Sequence, residues 1–279
     1  MKSLPNQNRR VKTTLLYIIT PIIALLAIYF IPKTFKQNQL PIIAISQFIS
    51  HEAVNAAYDG LIDELGKNGF IDGKTVRIIS YNAAGNMGTN AAIAQKIKGL
   101  NPKIVIALTT PSAQALISVP CPLVFSIVTD PVAAGLVKSL QKPGGHITGV
   151  TDMPPIEDQV KLIKQILPNA KVIAVPYSTG EANSVKQVAI IQEMAQKHRL
   201  QVQLLPITNS SQIQSAMARA LNIGADAYLI PLDNTLVSAM PAVVSYANKL
   251  RIPVFTSESE SVVKNHALAN KGFNYYDIG

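Results

Sequence analysis

The sequence predicts an α/β protein in which two lobes with parallel sheets follow an apolar N-terminal segment. Three observations lead to this class. Short β-branched runs alternate with amphipathic helical stretches from residue 41 onward, which is typical of parallel sheets with right-handed crossovers. Four strand-like runs lie on each side of the Pro-Gly-Gly stretch at 143–145, which suits two lobes better than one. Residues 13–32 form a continuous uncharged stretch.

This stretch predicts a membrane segment. It contains 20 uncharged residues between Lys12 and Lys33, and a helix of that length spans about 30 Å, the thickness of a bilayer's hydrocarbon core. No small-residue cleavage pattern follows it, and no early cysteine could carry a lipid anchor. An uncleaved anchor and a cleaved signal both stay open. In either case residues 1–12 form a cytoplasmic basic segment, and residues 33–40 form a linker on the outer side.

The charge balance supports this topology. The formal net charge is +9, but residues 1–40 hold six basic residues and no acidic ones, so +3 remains for residues 41–279. Beyond residue 40, no basic run is interleaved with aromatic residues, so no nucleic-acid partner is predicted. Cys121 is the single cysteine and the four histidines share no ligand spacing. The sequence therefore predicts no disulfide, no metal site and no cofactor.

Hydrophobic periodicity predicts the strands and helices. A 3.6-residue apolar spacing, as in the series from Ile213 to Leu221 and from Leu236 to Ala247, predicts the helices. The segment at 122–126 is echoed at 253–257, each on the fourth strand of its half, which indicates two lobes of one topology. The predicted strands are 41–46, 75–81, 104–108 and 123–127 in the first half, and 172–176, 202–206, 227–231 and 253–256 in the second.

The domain limits follow from these elements. We expect a first ligand-binding lobe at 41–148 and a second at 149–268, joined by a hinge near Gly149. Residues 269–279 are expected to return toward the first lobe. In such a protein the cleft lies at the carboxyl ends of the strands, where loops of both lobes meet.

Polar clusters at these strand ends are the candidate site, because the common catalytic motifs are absent. The spacing of Gly69 and Gly73 does not fit a phosphate loop, and no nucleophile elbow is present. Thr109 to Ala113 predicts a helix start, which suits either a simple cap or a ligand carboxylate. Asp233 is either an N-cap or the partner of a ligand ammonium group. A carboxylate site combined with an ammonium site is what a free amino acid requires.

These clusters also carry a family resemblance. The runs Val128-Thr-Asp-Pro131 and Glu181-Ala-Asn-Ser184, with Thr110-Pro-Ser112 and Tyr275-Tyr-Asp277, resemble the ABC transporter substrate-binding protein family that includes tryptophan and tyrosine binders. The resemblance extends in order from about Pro41 to the last residue. This sequence departs from the family pattern at the run from His51 to Asn55, which lacks a usual proline and aspartate. The family also continues beyond the Tyr-Tyr-Asp run, so the C-terminus looks truncated.

The resemblance implies two Rossmann-like lobes joined by a hinge, the type I periplasmic-binding-protein fold. It implies a non-enzymatic periplasmic receptor. A small amphipathic molecule, best matched by an aromatic amino acid, would be delivered to an ABC permease with a partner ATPase. The alternative is the ligand-sensing domain of a membrane-bound signalling system. The implied ligand contacts are Phe48, Asn82, Thr110, Ser112, Thr129, Asp130, Tyr177, Glu181, Asn183, Ser184, Asp233, Asn234 and Ser257.

The receptor that this resemblance implies is a monomer in the periplasm. Residues 13–32 would anchor it to the inner membrane, unless the segment is cleaved and the receptor is secreted into the periplasm.

Overall fold

The computed structural model describes residues 40–279, in which ten strands form two parallel five-stranded sheets. The order of the first sheet is β2-β1-β3-β4-β5, and the equivalent order of the second is β7-β6-β8-β9-β10. The two sheets therefore have one topology, as the repeated segment predicts. The strands are β1 (Ile42–Gln47), β2 (Arg77–Asn82), β3 (Ile104–Leu108), β4 (Leu123–Val128), β5 (Ile147–Thr151), β6 (Val172–Ser178), β7 (Gln201–Ile207), β8 (Ala227–Ile230), β9 (Val254–Thr256) and β10 (Ala269–Asn270).

Helices cover both faces of each sheet, which is why the central strands are buried runs of apolar residues. We call β1–β5 with the first three helices the first lobe, and β6–β10 with the next six helices the second lobe. The helices are α1 (Glu52–Lys67), α2 (Met87–Leu100), α3 (Thr110–Leu116), α4 (Ile156–Ile166), α5 (Ala182–Lys197), α6 (Ile213–Asn222), α7 (Asn234–Ser238), α8 (Met240–Leu250), α9 (Glu260–Asn265) and α10 (Tyr275–Ile278).

Each lobe has a hydrophobic core on either face of its sheet. The core between β1, β3 and α1 in the first lobe also contains Leu232, from the loop after β8, and Tyr275 of α10. The last helix packs against α1. The two lobes are thus in direct apolar contact beside the carboxyl ends of their strands.

The structure differs from the sequence prediction at the edge strands. Both β5 and β10 were missed, because β5 contains Gly149 and is exposed over most of its length, and β10 has only two residues. Since β5 pairs with β4 through Thr151, the first sheet extends past the predicted limit at residue 148. Since β10 pairs with β9, the second sheet extends past residue 268, and the return to the first lobe is made by α10.

One predicted helix is divided in two. The apolar spacing from Leu236 to Ala247 predicts a single helix, whereas α7 ends at Ser238 and α8 begins at Met240. Pro241 lies in the first turn of α8, where its missing N–H and fixed φ are tolerated, and it cannot continue the preceding helix.

The predicted segments at 1–12 and 13–32, and the linker at 33–40 except its last residue, lie outside the described residues. Among the helices of residues 40–279, none combines the length and the apolar character that a bilayer crossing requires.

Candidate functional site

A cavity lies where the carboxyl ends of the strands of both lobes meet. Its empty volume, mouth included, is about 350 Å³. The first lobe contributes the start of α1, the end of β4 and the residues that follow β3, β4 and β5. The second lobe contributes residues that follow β6, β8 and β9, and α10 contributes Tyr275. The lining residues are His51, Ala53, Val54, Thr109, Thr110, Ile127, Thr129, Asp152, Asn183, Leu232, Asp233, Asn234, Val237, Glu258 and Tyr275.

Two of the lining residues have a strained backbone. Thr109 has φ of 79° and Ile127 has φ of 52°, although β-branched residues are rarely found at positive φ. Ile127 lies where the pairing of β4 with β5 shifts register, between Phe125 and Val128. Such strain persists only when the surrounding structure holds it, and it is concentrated at functional sites.

Several buried polar atoms of the cavity wall have no hydrogen-bond partner within residues 40–279. They are His51 Nδ1, Thr109 Oγ1, Thr110 Oγ1, Asp152 Oδ1 and Asn183 Oδ1. Buried polar groups are nearly always paired in native proteins, and leaving one unpaired is costly. A polar molecule in the cavity would supply the missing partners.

Asp152 is the first residue after β5 and is only 4% exposed. Its Oδ2 accepts a hydrogen bond from the Tyr275 hydroxyl at 3.3 Å, and its Oδ1 is one of the unpaired atoms. Burial raises the pKa of this carboxyl to about 6, and the Thr129 and Tyr275 hydroxyls oppose the rise. At neutral pH it is a mostly ionised carboxylate with an unpaired oxygen beside an open cavity.

Asp233 also lines the cavity, but its oxygens are bonded within the second lobe. Oδ1 caps α7 by accepting from the Leu236 N–H at 2.9 Å. Oδ2 accepts from the Ser178 N–H at 2.5 Å and from the Ser184 hydroxyl at 2.6 Å. Burial, followed by the nearby Glu181 carboxylate, raises the pKa of Asp233 to about 7. Its hydrogen bonds therefore tie the end of β6 to the start of α5 and α7.

Glu181 has a similar structural role one layer behind the wall. Its Oε1 accepts from the Thr235 N–H at 3.0 Å and from the Thr235 hydroxyl at 2.8 Å. Its Oε2 accepts from the Asn234 N–H at 3.0 Å and from the Asn234 side chain at 2.6 Å. These bonds fix Asn234, which lines the cavity and hydrogen-bonds the His51 ring of the first lobe.

His51 is a neutral group at pH 7. Burial lowers its pKa to about 4, although the hydrogen bond with Asn234 and the charge of Glu52 both oppose this change. With Nδ1 unpaired, the ring presents a polar atom to the cavity without adding charge.

Two ion pairs join the lobes at the edge of the cavity region. Lys186 of α5 lies 3.4 Å from Asp130, in the loop after β4, and both side chains are partly exposed. Lys264 of α9 pairs with Glu52, at the start of α1. Together with the bond between His51 and Asn234, they connect the second lobe to the first lobe at three places.

The structure brings some of the predicted ligand residues to the cavity and places others elsewhere. Thr110, Thr129, Asn183, Asp233 and Asn234 line it. The other predicted residues lie outside the cavity lining. Three of them stabilise the surroundings of the cavity, since Glu181 and Ser184 support its wall and Asp130 forms an ion pair between the lobes. The remaining five have contacts within one lobe: Phe48 lies in the first-lobe core, Tyr177 packs on the second-lobe core, Asn82 hydrogen-bonds Gln47 and the Ala84 N–H, Ser257 hydrogen-bonds Gln159, and Ser112 is buried in α3.

Sequence reasoning missed several residues of the wall. His51, Thr109 and Tyr275 lay inside runs of interest but were not named as ligand contacts, and Asp152, Ile127, Leu232, Val237 and Glu258 were not considered. The signal for Asp152 was present, since it follows a strand, but the hinge expected near Gly149 concealed that strand. Within the described residues, no group of three or more His, Cys, Asp or Glu side chains is arranged to hold a metal ion.

Comparison with known proteins identifies the family. The model of the family described as ABC transporter substrate binding protein matches residues 42–279. The chain belongs to this family. Members are solute-binding proteins, and the two parallel sheets are those of the type I periplasmic-binding-protein fold.

Three similar proteins have informative names. The tyrosine-binding protein of Clostridioides difficile strain R20291 is 38% identical over 249 residues, covering 88% of this chain and 71% of that protein. A Streptococcus pneumonia ABC domain in complex with L-Trp is 33% identical with a TM-score of 0.82, covering 86% of this chain and 81% of that one. The ligand-free, open structure of Clostridium difficile CD0873, a substrate binding protein with adhesive properties, is 37% identical with a TM-score of 0.61, covering 86% and 82%.

Proposed function

We propose that this protein is the extracytoplasmic receptor of an ABC importer, which captures an aromatic amino acid between its lobes and delivers it to a membrane permease. The receptor acts without catalysis, as a monomer held at the outer face of the inner membrane by residues 13–32. The hinge lies near Gly149, where the two lobes join, and the partner ATPase of the permease powers transport.

The observation that carries this proposal is the kind of unpaired atom in the cavity wall. Thr109 and Thr110 offer hydroxyl donors that suit a carboxylate, whereas Asp152 and Asn183 offer acceptor oxygens that suit an ammonium group. A free amino acid carries both groups on one carbon atom. It would therefore satisfy both kinds of unpaired atom at once.

The rest of the wall suits an apolar side chain. Ala53, Val54, Ile127, Leu232 and Val237 contribute aliphatic surface from both lobes. The cavity is small, with an empty volume of about 350 Å³ that includes the space at its mouth. These dimensions favour one small amphipathic molecule, and the Tyr- and Trp-binding relatives support an aromatic one.

The relative position of the lobes supports a closed, ligand-ready arrangement. The L-Trp complex has a TM-score of 0.82 with this structure, whereas the ligand-free open structure has 0.61, at comparable identities of 33% and 37%. Both lobes contribute to the same cavity in this arrangement. Closure about a hinge is the usual way in which such two-lobed receptors enclose a ligand.

Thermal shift against the twenty amino acids tests the proposal. A ligand at 100 times its Kd should raise the unfolding free energy by about 2.7 kcal/mol, which is a rise in Tm of roughly 5 to 10 °C for a protein of this size. We expect this shift with L-tyrosine or L-tryptophan and none with L-alanine. Native mass spectrometry of gently purified protein should show a co-purified ligand of matching mass. No shift with any amino acid would refute the ligand class.

A further inference from the structure

We propose that Asp152 binds the ammonium group of the ligand and selects amino acids over the corresponding acids that lack an amino group. This assignment rests on the function proposed above, and it names a residue that the sequence did not indicate. The sequence pointed instead to Asp233.

The position of Asp152 suits this role. Its side chain is 4% exposed and lines the cavity, and Oδ1 has no hydrogen-bond partner within residues 40–279. The Tyr275 hydroxyl donates to Oδ2 at 3.3 Å, which is long for a bond between oxygens, and the Thr129 hydroxyl is the other side-chain donor to this carboxyl. A buried carboxylate with an unpaired oxygen gains much from a cationic donor.

The other carboxylates near the cavity have their oxygens engaged. Asp233 accepts bonds from two backbone N–H groups and a hydroxyl. Glu181 accepts from Asn234 and Thr235. Glu258 accepts from the N–H and the hydroxyl of Ser261. Asp152 is the carboxylate of the wall that retains an unpaired oxygen.

The charges around Asp152 point the same way. Two further carboxyl side chains, those of Asp233 and Glu258, also line the cavity, and its described lining contains no Lys or Arg. The other titratable groups that face the cavity are those of Tyr275 and His51. His51 is neutral, because burial lowers its pKa to about 4. A ligand with an ammonium group compensates this negative charge, whereas a ligand with a carboxylate alone adds to it.

Calorimetric titration of the wild type and two variants tests the assignment. The probes are L-tyrosine, 3-(4-hydroxyphenyl)propionate, which is the same molecule without its amino group, and tyramine, which lacks the carboxylate. D152N removes the charge and keeps the shape. D158N is the matched control, because Asp158 lies on the exposed face of α4 and pairs only with Lys161 among the ion pairs of the described residues.

We expect D152N to lower the affinity for L-tyrosine by roughly 10- to 150-fold, the value of a hydrogen bond to a charged group. Its preference for L-tyrosine over the amine-free acid should shrink by a similar factor. D158N should match the wild type. Circular dichroism of D152N establishes whether the variant folds. If it does not fold, the titrations of the wild type test the assignment, because tyramine should bind to the wild type more tightly than the amine-free acid does.

Unchanged affinity and preference in a folded D152N would overturn the assignment and leave the receptor function intact. The same holds if the wild type binds the amine-free acid as tightly as L-tyrosine, or more tightly than tyramine. A wild type that binds none of these probes, nor L-tryptophan, would instead overturn the proposed amino-acid receptor, and the assignment with it.

Discussion

Replacing Asp233 with alanine should destabilise the fold, because its side chain is the acceptor for three donors of the second lobe. The carboxylate is fully buried and accepts bonds from the N–H groups of Ser178 and Leu236 and from the Ser184 hydroxyl. D233A leaves all three donors without an acceptor. At about 1 to 2 kcal/mol for each donor, the free energy of unfolding should fall by about 3 to 6 kcal/mol.

The difference in unfolding free energy between the wild type and D233A should depend on pH with a definite sign. Because the pKa of Asp233 is raised from 3.8 to about 7 in the folded state, the folded protein binds a proton more tightly than the unfolded chain. The stability that this proton contributes is present below about pH 4 and is lost as the pH rises through 7. D233A lacks the titrating group. The wild type and the variant should therefore differ more at pH 5 than at pH 8.

Urea denaturation followed by circular dichroism at the two pH values measures both effects. S184A is the matched control, since it removes one donor from the same carboxylate and should cost only about 1 kcal/mol. For D233A the Tm should fall by about 6 to 20 °C. A single hydrogen bond contributes about 1 kcal/mol. If the unfolding free energy of D233A falls by no more than this amount, the structural role assigned to Asp233 is refuted.

Three further predictions concern the lobes and the cavity. G149A should lower the Tm, because a Cβ at this position would lie 1.9 Å from the Phe125 carbonyl oxygen. G180A is the control and should leave the Tm unchanged, because a Cβ there meets no atom within 4 Å. Equal melting curves for the two variants would contradict this prediction. K186A should weaken ligand binding about 2- to 5-fold by removing a partly exposed ion pair between the lobes, and an unchanged Kd in calorimetry would contradict it. Because burial raises the pKa of Asp152 from 3.8 to about 6, D152N should gain about 3 kcal/mol of stability relative to the wild type between pH 4 and pH 7; parallel pH–stability curves from urea denaturation would contradict it.

The sequence predicted the fold wherever strands are buried on both faces. The run at 104–108 became β3 with the same bounds, because a central parallel strand is a continuous apolar run. The edge strands left no such signal. In β5, Gly149 and two threonines replace the apolar run, and pairing with β4 rather than local propensity makes this segment a strand.

The candidate site was predicted in part, for a related reason. Residues such as Thr110 and Asn183 were found because polar groups at strand ends converge in this topology. Asp152 was missed with its strand. The roles of Phe48 and Asp233 depend on tertiary contacts that the sequence does not specify: an aromatic side chain suits the core as well as a ligand, and an aspartate suits a helix cap as well as an ammonium group.

The most direct test of the account is a crystal structure of the protein grown with L-tyrosine. We predict that the ligand lies between the lobes, with its amino nitrogen within hydrogen-bonding distance of Asp152 Oδ1 and its carboxylate beside the Thr109 and Thr110 hydroxyls. A ligand bound outside this cavity, or one whose amino group faces away from Asp152, would contradict it.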